Sequence, residues 1–213
     1  MTQLSKSLIN FKQLWVVLTF IFISNFSISS LTYAAITPDA FIKGLAEEAI
    51  ATLSNKSNGF NEREKLMRHF LDNYADIDSM GKFIVGRHWN NASEADKAEY
   101  LKTFRDYNAK NFAALLSSYS GEKLEVLKTT NVAGDYATVQ SVITGSKASD
   151  KIRVDWRLRK EGESYKVVDF MVEGLSQAAT LRDDFASTLN GGLASLTEAL
   201  KKKIVQIQEK NQN

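Results

Sequence analysis

Apolar residues recur every three or four positions through the first half of the chain, which is the spacing of amphipathic helices. Thr37-Pro38 supplies a helix cap followed by proline at the first helical position. Asn61 with Glu64, and later Ser93 with Asp96, resemble capping boxes that open further helices. The pattern therefore predicts four helices, over residues 37–53, 61–74, a short segment that ends near 86, and 93–118.

The pattern then changes to alternation between apolar and polar residues, which is typical of strands. It predicts four strands, over residues 123–128, 136–144, 152–160 and 165–173. Their short connections favour antiparallel pairing of neighbours. The third strand places Val154 and Trp156 on one face and arginines on the other, so one face is buried and one is solvated. The fourth is apolar on both faces and needs cover on both.

Helical spacing returns after the fourth strand. Ser176 can cap a helix that extends to Leu189, Gly191-Gly192 breaks it, and a final helix begins near Ala194. Residues 209–213 are expected to be a frayed tail. This order of elements predicts an α+β fold, with N- and C-terminal helices packed on a twisted, four-stranded, mainly antiparallel sheet.

The N-terminal segment has the features of a secretory signal peptide. Lys6 and Lys12 precede the apolar run Leu14–Ile23, and a small-residue cleavage site ends at Ala34. The apolar run is shorter than the roughly 20 residues that span a bilayer, although an uncleaved anchor is the alternative. We expect residues 1–34 to be a cleaved signal peptide that exports the protein.

Composition excludes several classes of chemistry. The chain has no Cys and two His, which excludes disulfides, thiolate metal sites, cysteine nucleophiles and a lipoprotein anchor, and makes a multi-histidine metal site improbable. The formal net charge of +2 equals the two lysines of the leader, so the exported chain is neutral. A neutral chain argues against nucleic acid as a partner. We expect no metal and no cofactor.

A few polar residues stand out as candidates for catalysis. Asp76 and Asp78 could form an acid–base pair, but Asp at a turn more commonly caps a helix. His69 and His88 lack the spacing of a triad or metal site and are expected at the surface, with a site role for His88 as the alternative. Asp169 lies in the apolar fourth strand, where a buried carboxylate needs a partner.

We expect a structural pair between Asp169 and Arg182, with an enzymatic acid at Asp169 as the alternative. The remaining feature is an excess of aromatic and aliphatic residues. These residues could form a solid core, or they could line a cavity between sheet and helices, and periodicity alone leaves both open.

Four segments resemble characteristic stretches of the MlaC family, in order along nearly the whole exported chain: Phe83–Trp89, Val154–Arg159, Tyr165–Ser176 and Leu181–Phe185. The third of these (YKVVDFMVEGLS) is the most specific. The resemblance implies a periplasmic phospholipid-binding domain over residues 35–208. It also implies an NTF2-like α+β scaffold for that domain. It implies an apolar cavity for acyl chains and no enzymatic activity.

The resemblance further implies a monomeric shuttle in the periplasm. It would carry phospholipid between an outer-membrane lipoprotein–porin complex and an inner-membrane ABC transporter complex, and so maintain outer-membrane lipid asymmetry. The expected lipid-binding residues are apolar and come from helices and strands alike: Phe83, Trp89, Phe104, Val139, Ile143, Val154, Trp156, Val168 and Phe170.

Three alternatives remain from the sequence. The cargo could be a hopanoid or another sterol-like lipid. The chain could be a small isomerase or hydrolase on an NTF2-like scaffold, with Asp169 in its pocket. It could also be a periplasmic adaptor with a solid core, which the absence of a cavity above roughly 300 Å³ would favour.

Overall fold

The β-strands lie side by side in the sheet in the same order as in the chain, without crossovers. The computed structural model describes residues 35–131, 134–145 and 151–211, and the predicted signal peptide lies outside the described residues. Five strands pair antiparallel with their sequence neighbours. They are β1 (Lys123–Asn131), β2 (Tyr136–Thr144), β3 (Lys151–Glu161), β4 (Ser164–Val172) and β5 (Leu175–Ser176).

The four predicted strands and their antiparallel pairing are confirmed, and β5 is an addition. The two-residue β5 is joined to β4 by Glu173-Gly174, both of which have positive φ, at 50° and 83°. Glycine adopts this conformation without steric cost, which permits the tight reversal. The backbone N–H of Glu173 also donates to the carbonyl of Arg153 at 3.0 Å, so the turn is tied to β3.

Seven helices flank this sheet in the described part of the chain. They are α1 (Pro38–Leu53), α2 (Phe60–Asn73), α3 (Ile77–Val85), α4 (Arg87–Asn90), α5 (Glu94–Leu115), α6 (Gln177–Leu189) and α7 (Gly192–Asn211). A single 3₁₀ turn, Leu116–Ser118, follows α5. The α+β architecture is therefore confirmed, and α7 continues past the boundary that we placed at residue 208. None of the described helices is long and apolar enough to span a membrane.

A bulge in β4 explains why that strand is apolar on both faces. Arg157 of β3 is opposite Asp169, but the next residue, Leu158, is opposite Val167, so Val168 is the extra residue. A bulge changes the alternation of side chains along a strand. Val167 and Phe170 consequently share one face of the sheet, although an undisturbed strand would place them on opposite faces.

The free edge of β4 is held by the segment that joins α2 to α3. The backbone N–H of Asp76 donates to the carbonyl of Val167 at 2.9 Å, and the N–H of Val167 donates to the carbonyl of Tyr74 at 2.7 Å. The Asp76 side chain accepts from the N–H of Ser79 at 3.2 Å and so caps α3. Asp78 instead forms an ion pair with Arg105. The Asp76/Asp78 pair thus serves in capping and ion pairing.

Two apolar clusters form the interior. The larger lies among α2, α3, α5, α6 and α7 and includes the stacked rings of Tyr100 and Phe104, whose centroids are 5.6 Å apart. The smaller lies between α1 and the sheet and contains Phe41, Ile42 and Val139. The face of the sheet that α1 covers is called the inner face below, and the opposite face is called the outer face.

A partly buried ionic cluster joins α2 to α5. The ammonium group of Lys110, only 7% exposed, lies 2.7 Å from a carboxylate oxygen of Glu64 and 3.1 Å from one of Asp106. The guanidinium of Arg68 contacts the same two carboxylates. Burial opposes ionisation of Asp106, but hydrogen bonds from Arg68 and Lys110 outweigh it and lower the pKa of this carboxyl. The cluster fixes two helices of the larger apolar cluster against each other.

Candidate functional site

An apolar cavity of about 440 Å³ lies between α1 and the inner face of the sheet and opens to solvent. Residues of α1, the end of α5, the following 3₁₀ turn and strands β1–β3 line it. Its apolar lining comprises Ile42, Leu45, Ala46, Ala49, Ile50, Leu53, Phe70, Leu115, Leu116, Leu124, Ile143, Ile152 and Trp156. A cavity of this size is in the range of small-molecule binding sites. Its presence argues against the alternative of an adaptor with a solid core.

The helical wall follows from the periodicity of α1. Leu45, Ala49 and Leu53 recur at four-residue intervals and therefore lie on one face of the helix. Thr37 caps the helix by accepting from the N–H of Ala40, and this cap fixes where the face begins. Small residues at positions 46 and 49 leave space between the helix and the sheet where larger ones would fill it.

Alternation along the strands supplies the opposite wall. Trp156 is its largest side chain, and the indole Nε1–H donates to the hydroxyl of Ser141 at 3.0 Å. Ser141 in turn donates to the carbonyl of Val154 at 2.8 Å. The Trp156 ring stacks on Phe170, with centroids 5.8 Å apart. The polar atom of the indole is thus satisfied within the sheet, and its apolar ring is left facing the cavity.

The polar groups of the lining are grouped at one end of the cavity. They are Ser118, Tyr119, Glu122 and Lys123, and the last two are the only charged residues among the described residues that line it. Hydrogen bonds from the backbone N–H and the hydroxyl of Ser120 lower the pKa of the Glu122 carboxyl, which keeps it ionised. The cavity therefore pairs an apolar interior with a charged end.

Large apolar side chains remain exposed beside the cavity. Leu115 is 60% exposed and Ile152 is 46% exposed, and both contribute to its lining. Exposed leucine and isoleucine of this extent lose hydrophobic stabilisation unless something apolar covers them. An apolar chain that entered the cavity would contact both.

A family profile described as "MlaC protein" matches residues 43–202, which is more than half of the chain. The chain belongs to the MlaC family. The match begins within α1 and ends within α7, so it includes both walls of the cavity.

Two known proteins illustrate this relationship. The intermembrane phospholipid transport system binding protein MlaC of Haemophilus influenzae is 19% identical in an alignment of 192 positions that covers 86% of this chain and 89% of the relative. A solved structure of a phospholipid-binding protein from Ralstonia solanacearum, in complex with a phospholipid, superposes with a TM-score of 0.67. The superposition covers 79% of this chain and 97% of that chain at 18% identity, so it establishes a shared MlaC-like fold.

The structure of this MlaC-family chain distributes the nine predicted lipid-binding residues over several places. Ile143 and Trp156 line the cavity. Phe170 stacks on Trp156 from the neighbouring strand. Its ring also contacts that of Phe112, and these two ring centroids are 6.0 Å apart. Val139 and Val154 are buried on the same inner face of the sheet. These five residues belong to one wall. Ile143 and Trp156 line the cavity, whereas Phe170, Val139 and Val154 pack within the wall.

The other four predicted residues lie away from the cavity. Phe104 is buried against Tyr100 in the larger apolar cluster. Trp89 packs at the edge of that cluster, with the ammonium groups of Lys82 and Lys97 over its ring. Phe83 and Val168 line a separate depression on the outer face. For Val168 the reason is the bulge in β4, which a period-2 pattern does not reveal.

Asp169 has other partners than the predicted Arg182. Its two carboxylate oxygens accept from the backbone N–H groups of Phe170 and Ala178, at 2.9 and 3.2 Å, and from the Ser176 hydroxyl, at 2.6 Å. Arg182 instead lies over the ring of Phe83. The carboxylate therefore holds the β4–β5–α6 connection together, which corrects the expected ion pair.

The residues of α1 and the end of α5 were missed as cavity residues. Their helical spacing predicted an apolar face correctly, but it left open whether that face borders a solid core or a cavity. The available signal was the pair of small residues Ala46 and Ala49 within an otherwise large apolar stripe. Small side chains indicate space beside the helix, but they do not indicate what fills that space.

Proposed function

We propose that this chain is a phospholipid carrier that holds acyl chain in the cavity between α1 and the inner face of the sheet. The apolar lining of that cavity is the observation that supports the proposal most strongly. Each methylene moved from water into apolar surroundings contributes about 0.8 kcal/mol, so a 16-carbon chain contributes about 13 kcal/mol. The charged end of the cavity, with Glu122 and Lys123, leaves the headgroup in water.

The proposed setting is the periplasm, reached through the cleaved signal peptide of residues 1–34. The domain beginning at residue 35 would exchange phospholipid with an outer-membrane lipoprotein–porin complex and an inner-membrane ABC transporter complex, and so maintain outer-membrane lipid asymmetry. Support comes from the Haemophilus influenzae relative, which is described as the binding protein of an intermembrane phospholipid transport system. We propose that the carrier travels as a monomer.

Binding without catalysis is consistent with the position of Asp169. Its carboxylate oxygens are engaged by Ser176, Phe170 and Ala178. Trp156 and Phe170 lie on the inner face of the sheet, whereas Asp169, opposite Arg157 in the strand register, lies on the outer face. A general acid or base must reach its substrate. Asp169 does not line the cavity and stabilises a turn instead.

Native mass spectrometry of the purified protein tests the proposal. We expect a mass increment of a phospholipid on the mature chain, whose identity lipid extraction then gives. Ile50→Glu introduces a carboxylate into the cavity lining and should abolish the increment, because the charge must stay hydrated. Gly44→Glu adds the same side chain to an exposed position on α1, where a Cβ meets no atom within 4 Å, and should leave loading unchanged.

A protein that carries no lipid and takes up none from phospholipid vesicles would overturn the proposal. A co-purifying sterol-like mass in place of phospholipid would retain the carrier and change its cargo. Equal loading of the Ile50→Glu and wild-type proteins would place the cargo outside this cavity.

A further inference from the structure

A second concave region lies on the outer face of the sheet, where α3 and α6 meet β4. The lining of one depression, of about 380 Å³, includes the apolar side chains of Met80, Phe83, Val168 and Met171. Two arginines and two aspartates also line it: Arg157, Arg159, Asp76 and Asp169. Because Trp156 and Phe170 face inward while their neighbours Arg157 and Asp169 face outward, the sheet separates this depression from the lipid cavity.

An adjacent depression of about 340 Å³ lies between α3, α4 and α6. Its polar lining residues are Arg87, His88, Arg182 and Asn190, and no carboxylate is among the described residues that line it. The two depressions meet where the Arg182 guanidinium lies 5.4 Å from the centroid of the Phe83 ring. The pair of depressions is called the outer groove below.

Arg182 is held in place although it is exposed. Its Nη1 donates to the carbonyl of Phe83 at 3.5 Å, near the C-terminus of α3, where a cation is favoured. The guanidinium also lies against the backbone of Gly86, since a Cβ at that position would come within 3.1 Å of Nη2. The lack of a side chain at position 86 therefore leaves room for the Arg182 guanidinium beside Phe83.

The positive charge of the outer groove is not neutralised by its own acids. Arg159 forms an ion pair with Asp76 at 2.8 Å, and the Asp169 carboxylate is engaged by Ser176 and backbone N–H groups. In the described part of the chain, Arg87 and Arg182 form no ion pair with a carboxylate. Phe83, beside Arg182, remains 51% exposed.

We propose that the outer groove docks a protein surface that presents an apolar side chain flanked by aspartate or glutamate. Methionine, aromatic residues and arginine are enriched at protein interfaces, and arginine binds carboxylates through two parallel hydrogen bonds. A concave site suits an inserted side chain better than a flat bilayer. A membrane bound here would also lie across the sheet from the lipid cavity.

The outer groove thus allows a partner to hold the carrier without covering the cavity of α1 and β1–β3. This inference rests on the proposed function, because the two membrane complexes proposed there are its probes. Lipid loading is measured separately by native mass spectrometry, so loss of docking and loss of cargo are distinguished.

The test measures binding of the purified protein to the inner-membrane transporter complex and to the outer-membrane complex, each in nanodiscs. We expect wild type to bind at least one of them. The Arg87→Glu/Arg182→Glu variant should bind about 30-fold more weakly, as truncation or reversal of a central interface residue does, and Phe83→Ala should weaken the same complex. Binding should also weaken with added salt.

Lys202→Glu/Lys203→Glu is the matched control, because it makes the same change in net charge at exposed positions of α7 that line neither depression. It should bind within about twofold of wild type. All variants should retain lipid and remain folded, as measured by circular dichroism.

Three results would overturn the inference. Wild type could bind neither complex, the double arginine variant could bind as tightly as wild type, or the lysine control could lose as much affinity. Binding to vesicles of phosphatidylcholine and phosphatidylglycerol with the same dependence on Arg87 and Arg182 would replace the acidic protein by a membrane and would equally contradict it.

Discussion

Lengthening the acyl chain of a bound lipid should strengthen binding only until the chain fills the cavity. A methylene group and a water molecule have similar volumes, about 30 Å³. The cavity of about 440 Å³ therefore accepts one chain of roughly 15 carbons. Each added methylene contributes about 0.8 kcal/mol, which lowers the dissociation constant about fourfold. Beyond that length we expect the affinity to level off.

Ala49→Trp should shorten the chain length at which the affinity levels off, by an amount that the volume of the added ring determines. The side chain at position 49 points into the cavity from α1, and tryptophan adds the volume of about five methylene groups. The affinity should therefore level off near about ten carbons in the variant. Glu47→Trp is the matched control, since it adds the same ring to the exposed side of α1 and should keep the wild-type limit.

The assay is titration calorimetry with single-chain phosphatidylcholines of 8 to 18 carbons, below their critical micelle concentrations. A negative heat-capacity change that grows with chain length should accompany binding, because burial of apolar surface produces it. An affinity independent of chain length would refute the assignment of this cavity. An unchanged limit in Ala49→Trp would refute the position of the chain within it.

Three further predictions concern stability. Trp156→Phe loses the hydrogen bond to Ser141 and should lower the free energy of unfolding in urea by about 1 kcal/mol; a more stable variant would contradict this. Because the pKa of Asp106 is lowered in the folded state, its stabilisation is present above its ordinary pKa of 3.8 and is lost as the pH falls through the lower, folded value. Asp106→Asn should therefore show a weaker loss of stability below about pH 4 in acid titrations followed by circular dichroism, and an identical acid profile would exclude this role. Gly86→Ala introduces a Cβ at φ 52°, within 3.1 Å of Arg182, and should cost about 1–2 kcal/mol in thermal unfolding, whereas a neutral effect would contradict both the backbone strain and the contact with Arg182.

Much of the secondary structure could be predicted because its signals are local. The caps at Thr37, Ser93 and Ser176 were predicted from sequence, and each accepts a backbone hydrogen bond at the start of its helix. The capping box at Asn61 was wrong, because α2 begins at Phe60. Glu64, its expected second member, contacts Arg68 four residues along α2 and Lys110 of α5, and no local pattern contains the second of these pairs.

The cavity could be predicted only in part. Ile143 and Trp156 were among the predicted lipid-binding residues and do line it, whereas no residue of α1 was among them. Periodicity gives the direction of an apolar face. It does not state whether protein atoms or a ligand cover that face, because both remove it equally from water.

The sequence by itself determined the order of helices and strands, the antiparallel pairing and the apolar face of most elements, since these depend on neighbours within a few residues. Only the tertiary structure decided which faces meet. The bulge at Val168 placed Val168 on the outer face and Val167 on the inner face, and the small residues of α1 left a space against Trp156. The physical reason is that a cavity is the volume that side chains distant in sequence leave unfilled, so it arises only when they are packed together.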